Sequence, residues 1–208
     1  PEQRAALLRL MGDTAEPACA TVAMSAWGDR ALPTELRALA LATAASCRWE
    51  AAAAETMRAL QSEALEDRVA AVGALAYAPA TEQLFEQLRW AARRPEPELK
   101  LVACESMAAR RWRGGLTTIG ALVTDADPRV RAAALKALLA LEAEGLEGRL
   151  SQRAAADPTP EVRKVALELL GRLGTPRAIG ALTEAARNDA DADVKLVAEQ
   201  TLRRLRSP

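Results

Sequence analysis

From Val130 onward, apolar residues recur at +3, +4, +7 and +8: Ala133, Ala134, Ala137 and Leu138. That spacing is one face of an α-helix. The same frame starts at Val162 (Val165, Ala166, Leu169, Leu170) and, with one polar lapse, at Val194 (Val197, Ala198, Thr201, Leu202). Toward the N-terminus it starts at Leu99 (Val102, Ala103, Ser106, Met107), Val69 (Val72, Gly73, Ala76, Tyr77) and Leu36 (Leu39, Ala40, Thr43, Ala44). Gln3 starts Ala6, Leu7, Leu10 and Met11, although this anchor is polar. The anchors 3, 36, 69, 99, 130, 162 and 194 are separated by 33, 33, 30, 31, 32 and 32 residues. A second helix is predicted between successive anchored ones, over 16–27, 49–61, 81–92, 116–123, 146–155 and 176–187. Turns are marked by Gly12-Asp13, Gly28-Asp29, Pro79, Gly114-Gly115, Gly145 and Gly174.

Each unit is therefore helix, turn, helix. A lone helix pair cannot cover its apolar face, so the units must stack. We expect one repeat domain over 1–208, with a leading helix over 1–12 and about six helix pairs. The chain opens at Pro1 on an anchored helix with no first helix before it. The expectation is a piece of a longer chain, with an apolar edge around Leu7, Leu10 and Met11. The stretches "DPRVRAAALKAL" and "DPTPEVRKVALELL" resemble HEAT repeats, in particular the short bacterial HEAT-like type found in phycobilin lyases. The resemblance covers nearly the whole chain and is strongest from Asp125 onward. It implies an all-α, right-handed α-solenoid, a HEAT-like superhelix whose second helices line the concave side. It also implies a binding scaffold rather than one particular activity.

Composition sharpens this reading. Half the chain is hydrophobic but only 3% is aromatic, so the core is built of small and aliphatic side chains. Runs of β-branched and aromatic residues, which strands favour, are few. Basic and acidic residues balance at 28 each, which disfavours nucleic acid and anionic membranes as partners. No apolar run reaches the length of a membrane span. Cys19, Cys47 and Cys104 are widely spaced and odd in number, which fits free thiols in a reducing, cytoplasmic compartment. Histidine is absent, and with it the commonest general base and most zinc sites. No glycine-rich phosphate loop occurs. No catalytic residue, metal ligand or cofactor site is predicted.

A basic residue follows the anchor in six repeats: Arg4, Arg37, Lys100, Arg131, Arg163 and Lys195, with Ala70 breaking the column. Acids precede several anchors: Glu66, Glu96, Asp127, Asp157 and Asp191. The column is either a charged binding ladder or a set of caps and Asp–Arg contacts between adjacent repeats; the second is favoured.

Trp27 and Trp90 are 63 residues apart, as are Trp49 and Trp112. The stretch "WGDRALPTELRALA" echoes "WAARRPEPELKLVA", which suggests duplication of a two-repeat unit. Trp27 and Trp90 fall in an apolar phase and are expected in the core. Trp49 and Trp112 each follow an arginine at a turn, where they either meet a partner or cap the stack.

At 100° per residue, positions +2, +6 and +9 point away from the anchored face. In repeats two to five they include Leu75, Leu101, Glu105, Lys136 and Leu139 and are otherwise small. The surface predicted there is a groove for an apolar helix or extended peptide of a protein partner. The function expected is a non-enzymatic interaction scaffold, or a regulatory or assembly subunit. A phycobilin-lyase-like enzyme or chaperone is the alternative and would need Glu105 and Glu168 in its groove. The stretch "ARRWRGG", Ala109 to Gly115, admits a third reading, a DNA alkyl-base glycosylase-like binder; the neutral charge and apolar groove count against it.

Overall fold

The computed structural model describes residues 2–14 and 16–206, with Arg4 described for its backbone alone. Among the described residues there are thirteen α-helices, two 3-10 turns and no strand. The anchored helices are α1 (Glu2–Thr14), α3 (Thr34–Cys47), α5 (Leu65–Ala74), α7 (Pro97–Ala109), α9 (Pro128–Ala140), α11 (Pro160–Leu173) and α13 (Ala192–Arg206). Between them lie α2 (Cys19–Gly28), α4 (Trp49–Leu60), α6 (Glu82–Ala92), α8 (Leu116–Leu122), α10 (Leu146–Ala156) and α12 (Pro176–Asn188). The fold is all-α and of the stacked-pair solenoid class, and the predicted spans hold to within a few residues.

The helices start where local chemistry starts them. Thr81 caps α6 by accepting from the Leu84 N–H, and Thr175 caps α12 by accepting from Ala178. Asp127 accepts from the Arg129 N–H at the head of α9. Prolines 97, 128, 160 and 176 occupy first-turn positions, where a missing N–H costs nothing.

The chain divides into two compact units, Pro1–Gly115 and Leu116–Pro208, each with its own core. In the first, α3 packs on α1 and α5, α5 on α7, and α2, α4 and α6 cover them. In the second, α9, α11 and α13 stack in turn, with α8, α10 and α12 as their covers. Core side chains are the aliphatic ones expected, among them Leu41, Leu99, Met107, Leu135, Leu167 and Leu170. Gly171 shows how tightly the second unit is built: a Cβ there would collide with the Thr201 methyl.

The third repeat departs from the predicted frame. Val69 is only half-buried and Tyr77 is exposed, whereas Asp67, Ala70, Ala71, Val72, Ala74 and Leu75 are buried. The buried set fits an anchor at Asp67, two residues earlier, with +3, +4, +5, +7 and +8 facing the core. The anchor spacings then become 33, 31, 32, 31, 32 and 32. Arg68 now follows the anchor, so the basic column is unbroken and Ala70 is not in it. Leu75 moves from the outer position +6 to the core position +8, which is why it is 2% exposed.

This repeat also ends irregularly. Helix α5 stops at Ala74 and tightens into a 3-10 turn over Leu75–Tyr77. The carbonyls of Val72 and Ala76 accept from Ser106 Oγ of α7 and from Nη1 of Arg110 at its C-terminal cap, both at 3.0 Å. Burial lowers the Arg110 pKa. Pro79 then helps keep the linker to α6 out of helical conformation.

Candidate functional site

At Arg37, Arg68, Arg131 and Arg163 the basic column is a structural ladder. Arg37 Nη2 donates to Asp67 Oδ1 at 2.9 Å and Arg68 Nη2 to Glu96 Oε1 at 3.0 Å. In the second unit Arg131 forks onto Asp157 at 2.7 and 2.9 Å, and Arg163 onto Asp189 at 2.8 and 2.9 Å. The same arginines reach back to the carbonyls of the preceding turn: Arg68 to Ser62 and Glu63, Arg131 to Asp125 and Ala126, Arg163 to Asp157. Each rung ties one repeat to the next and satisfies turn carbonyls that would otherwise be orphaned. Arg4 is outside the described side chains, and Glu66 is exposed rather than part of a rung.

Electrostatics agree with that role. Burial by itself pushes the Asp67 and Asp157 carboxyls up, but hydrogen bonds from Arg37 and Arg30, and from Arg131, outweigh it and hold both below the ordinary carboxylate range. The Arg163 fork does the same for Asp189. These carboxylates stay ionised in service of the fold, and none is tuned upward to act as a general acid.

The tryptophans split differently from the sequence pairing. Trp27 is core: its Nε1 donates to Glu55 at 3.1 Å, and Arg37 lies 4.6 Å from its ring centre. Trp90, expected to match it, is half-buried and lies on a groove, with Arg94 at 5.2 Å over its ring. Trp112 is packed, stacked on Phe85 at 4.1 Å and 4° with Arg89 at 4.9 Å. It fills the space beside Gly114 and Gly115, where a Cβ would meet its ring within 3.1 Å. Trp49, at the head of α4, is half-buried and lines a cavity.

That cavity is the candidate site. It holds about 280 Å³ between α4 and α6, with Trp49, Ala53, Met57, Leu75 and Leu84 as its apolar lining and Gln83 and Gln87 on its α6 side. A second, more polar hollow of about 490 Å³ shares Met57 and Gln87 with it and continues to Leu60, Gln61, Arg68, Trp90 and Arg94. The two form one valley within the first unit. The shortened α5 and the linker through Pro79 provide its floor.

Of the predicted partner-binding residues, the valley brings Trp49 and Leu75 together. Leu75 enters as a buried wall, not as an exposed contact. Leu101 is half-buried and Glu105 exposed on α7 of the first unit; Leu139 is half-buried and Lys136 exposed on α9 of the second. Sequence reasoning missed Met57 and Gln87, which belong to the covering helices α4 and α6, and Arg94, in the turn after α6; all three lie off the anchored helices. The pairing of Arg48-Trp49 with Arg111-Trp112 was the available signal, and it pointed at one wall.

A second apolar hollow, about 510 Å³, lies against α1 and α2 and is lined by Leu7, Leu8, Met11, Val22, Leu32 and Leu36. Leu7 and Leu10 are 55% and 61% exposed, so the expected apolar edge at α1 is present. Cys19 and Cys47 lie side by side near the same place. Burial first, and then the Cys19 thiol, raise the Cys47 pKa, and Cys47 Sγ donates to the Met11 carbonyl at 3.5 Å. Among the described residues no group of three His, Cys, Asp or Glu side chains is placed to hold a metal ion. No described helix is long and apolar enough to cross a membrane.

Stacked helix pairs tied together by an Arg–Asp ladder define a helical-repeat protein. Residues 116–203, within the second unit, match the family model described as HEAT repeats. Similar solved structures include the complex of CpcE and CpcF of phycocyanin lyase from Nostoc sp. PCC7120, at 21% identity and TM-score 0.55, covering 98% of this chain and 82% of that chain. An engineered protein is similar at 18% identity and TM-score 0.51, covering 89% and 96% of the two chains. Both likenesses concern the fold. Comparison with the curated proteins gave no match.

Proposed function

We propose that this chain is a non-enzymatic interaction scaffold that holds a protein partner on its first unit. The observation that carries this reading is the α4–α6 valley, an apolar pocket that runs into a polar, arginine-bearing hollow. Such a surface binds by shape and burial and offers no nucleophile or tuned acid. The ladder carboxylates are committed to arginines, which leaves them unsuited to proton transfer. The likeness to phycocyanin lyase subunits favours a second reading, presentation of a bilin to an acceptor protein.

The test is affinity capture from extracts of the source cells with the full chain, followed by calorimetric titration of the purified partner. A stoichiometric protein complex formed without covalent change supports the scaffold. An absorption shift on adding a bilin, with transfer to an acceptor, replaces it with the lyase reading.

A further inference from the structure

The α4–α6 valley has a chemical polarity that specifies its occupant. At one end the pocket beside Trp49 is lined by Ala53, Met57, Leu75 and Leu84 and carries no charged side chain. At the other end the charged side chains are Arg68 and Arg94. Arg68 is committed: it donates to Ser62, Glu63 and Glu96. Arg94 lies over Trp90 and 3.9 Å from Glu96, and is 44% exposed, so it has room for another carboxylate. Gln87 of α6 and Met57 line both ends, Gln83 of α6 adds an amide at the apolar end, and Gln61 after α4 adds one at the arginine end. An amide both donates and accepts, which suits the unpaired N–H and C=O groups of an extended chain.

Ala53 and Leu60 mark the two ends on α4. Seven residues at about 1.5 Å each place them roughly 10 Å apart. A polyproline-II segment advances about 3.1 Å per residue and returns to the same face every third residue, so its positions i and i+3 are separated by about 9 Å.

We propose that the valley docks an extended, polyproline-II-like peptide segment of a protein partner, with a large apolar side chain in the pocket beside Trp49 and an acidic side chain three positions later at Arg94. This rests on the scaffold reading and names the partner's chemistry. Charge complementarity selects the acid, and the uncharged pocket selects the apolar anchor.

The experiment is selection of a displayed library of random twelve-residue peptides on the full chain. Enriched peptides are then synthesised with a fluorescein label and titrated by polarisation. The expected result is enrichment of apolar–x–x–acidic peptides. Ala53→Trp, which fills the pocket, weakens them about tenfold or more. Arg94→Glu, an exposed change that spares the core, turns the preference to apolar–x–x–basic. Because the two variants read opposite ends, misfolding of one leaves the other decisive. Enriched peptides that bind both variants as tightly as the parent chain overturn the inference while leaving the scaffold reading standing. If no peptide is enriched, while a captured folded partner still binds, the extended-segment inference is overturned and the scaffold reading again stands.

Discussion

Asp157 is the residue on which the second unit's first rung turns. Its side chain is 0% exposed, yet it stays ionised because Arg131 forks onto it and the Thr159 N–H donates to it. Removing Arg131 leaves only Arg153, 3.4 Å away, against this buried charge, and breaking a buried pair costs up to about 3–5 kcal/mol. Arg131→Ala is therefore expected to lower stability by up to that amount in denaturant titration. The pH dependence follows from the direction of the shift. The Asp157 pKa is lower in the folded chain than the unfolded value of about 3.9. Its contribution is complete above that value and lost as pH falls through the folded pKa. Asp157→Asn should flatten the loss of melting temperature between neutral pH and the acid limb below about pH 4. A variant whose acid limb matches the parent chain would remove Asp157 from the account.

At the scale of elements, glycine positions separate close packing from mere helix weakening. Glycine inside a helix costs roughly 0.5–1 kcal/mol relative to alanine. Gly180 of α12 has nothing within 4 Å of an added Cβ, whereas at Gly171 of α11 that Cβ would meet Thr201 of α13. Gly180→Ala should raise stability by up to about 1 kcal/mol, and Gly171→Ala should lower it despite the better helix former. Thermal melts of the two variants decide this, and a gain at both sites would contradict the close approach of α11 to α13.

Most helix spans were legible in the sequence because the apolar period, the prolines and the capping residues agree. The third repeat was not. In "LEDRVAAVGALAY" alanine and valine are dense enough to satisfy the apolar pattern in two frames. What decides between them is tertiary: Asp67 is buried because Arg37 and Arg30 neutralise it, and Arg68 must reach Glu96. A carboxylate at an apolar position therefore marked the true anchor, and periodicity alone discounts it. The error carried Leu75 from core to surface in the prediction.

At the scale of the whole molecule, charge is balanced and the core is built of small residues, and the buried charged side chains among the described residues, Arg37, Asp67, Arg131 and Asp157, all belong to the ladder that holds repeats together. The repeat architecture, the structural role of the ladder and the apolar edge at α1 were readable from sequence. The valley was not, because it lies between two covering helices where α5 ends early, an arrangement set by tertiary packing rather than by the apolar period. The central claim is that this valley holds the partner. Hydrogen–deuterium exchange of the full chain, alone and saturated with the captured partner, tests it most directly. Slowed exchange is expected at residues 49–62, α4 and its exit, and at 81–94, α6 with its N-cap and the turn after it. Protection confined to the second unit, with those two segments unchanged, would contradict it.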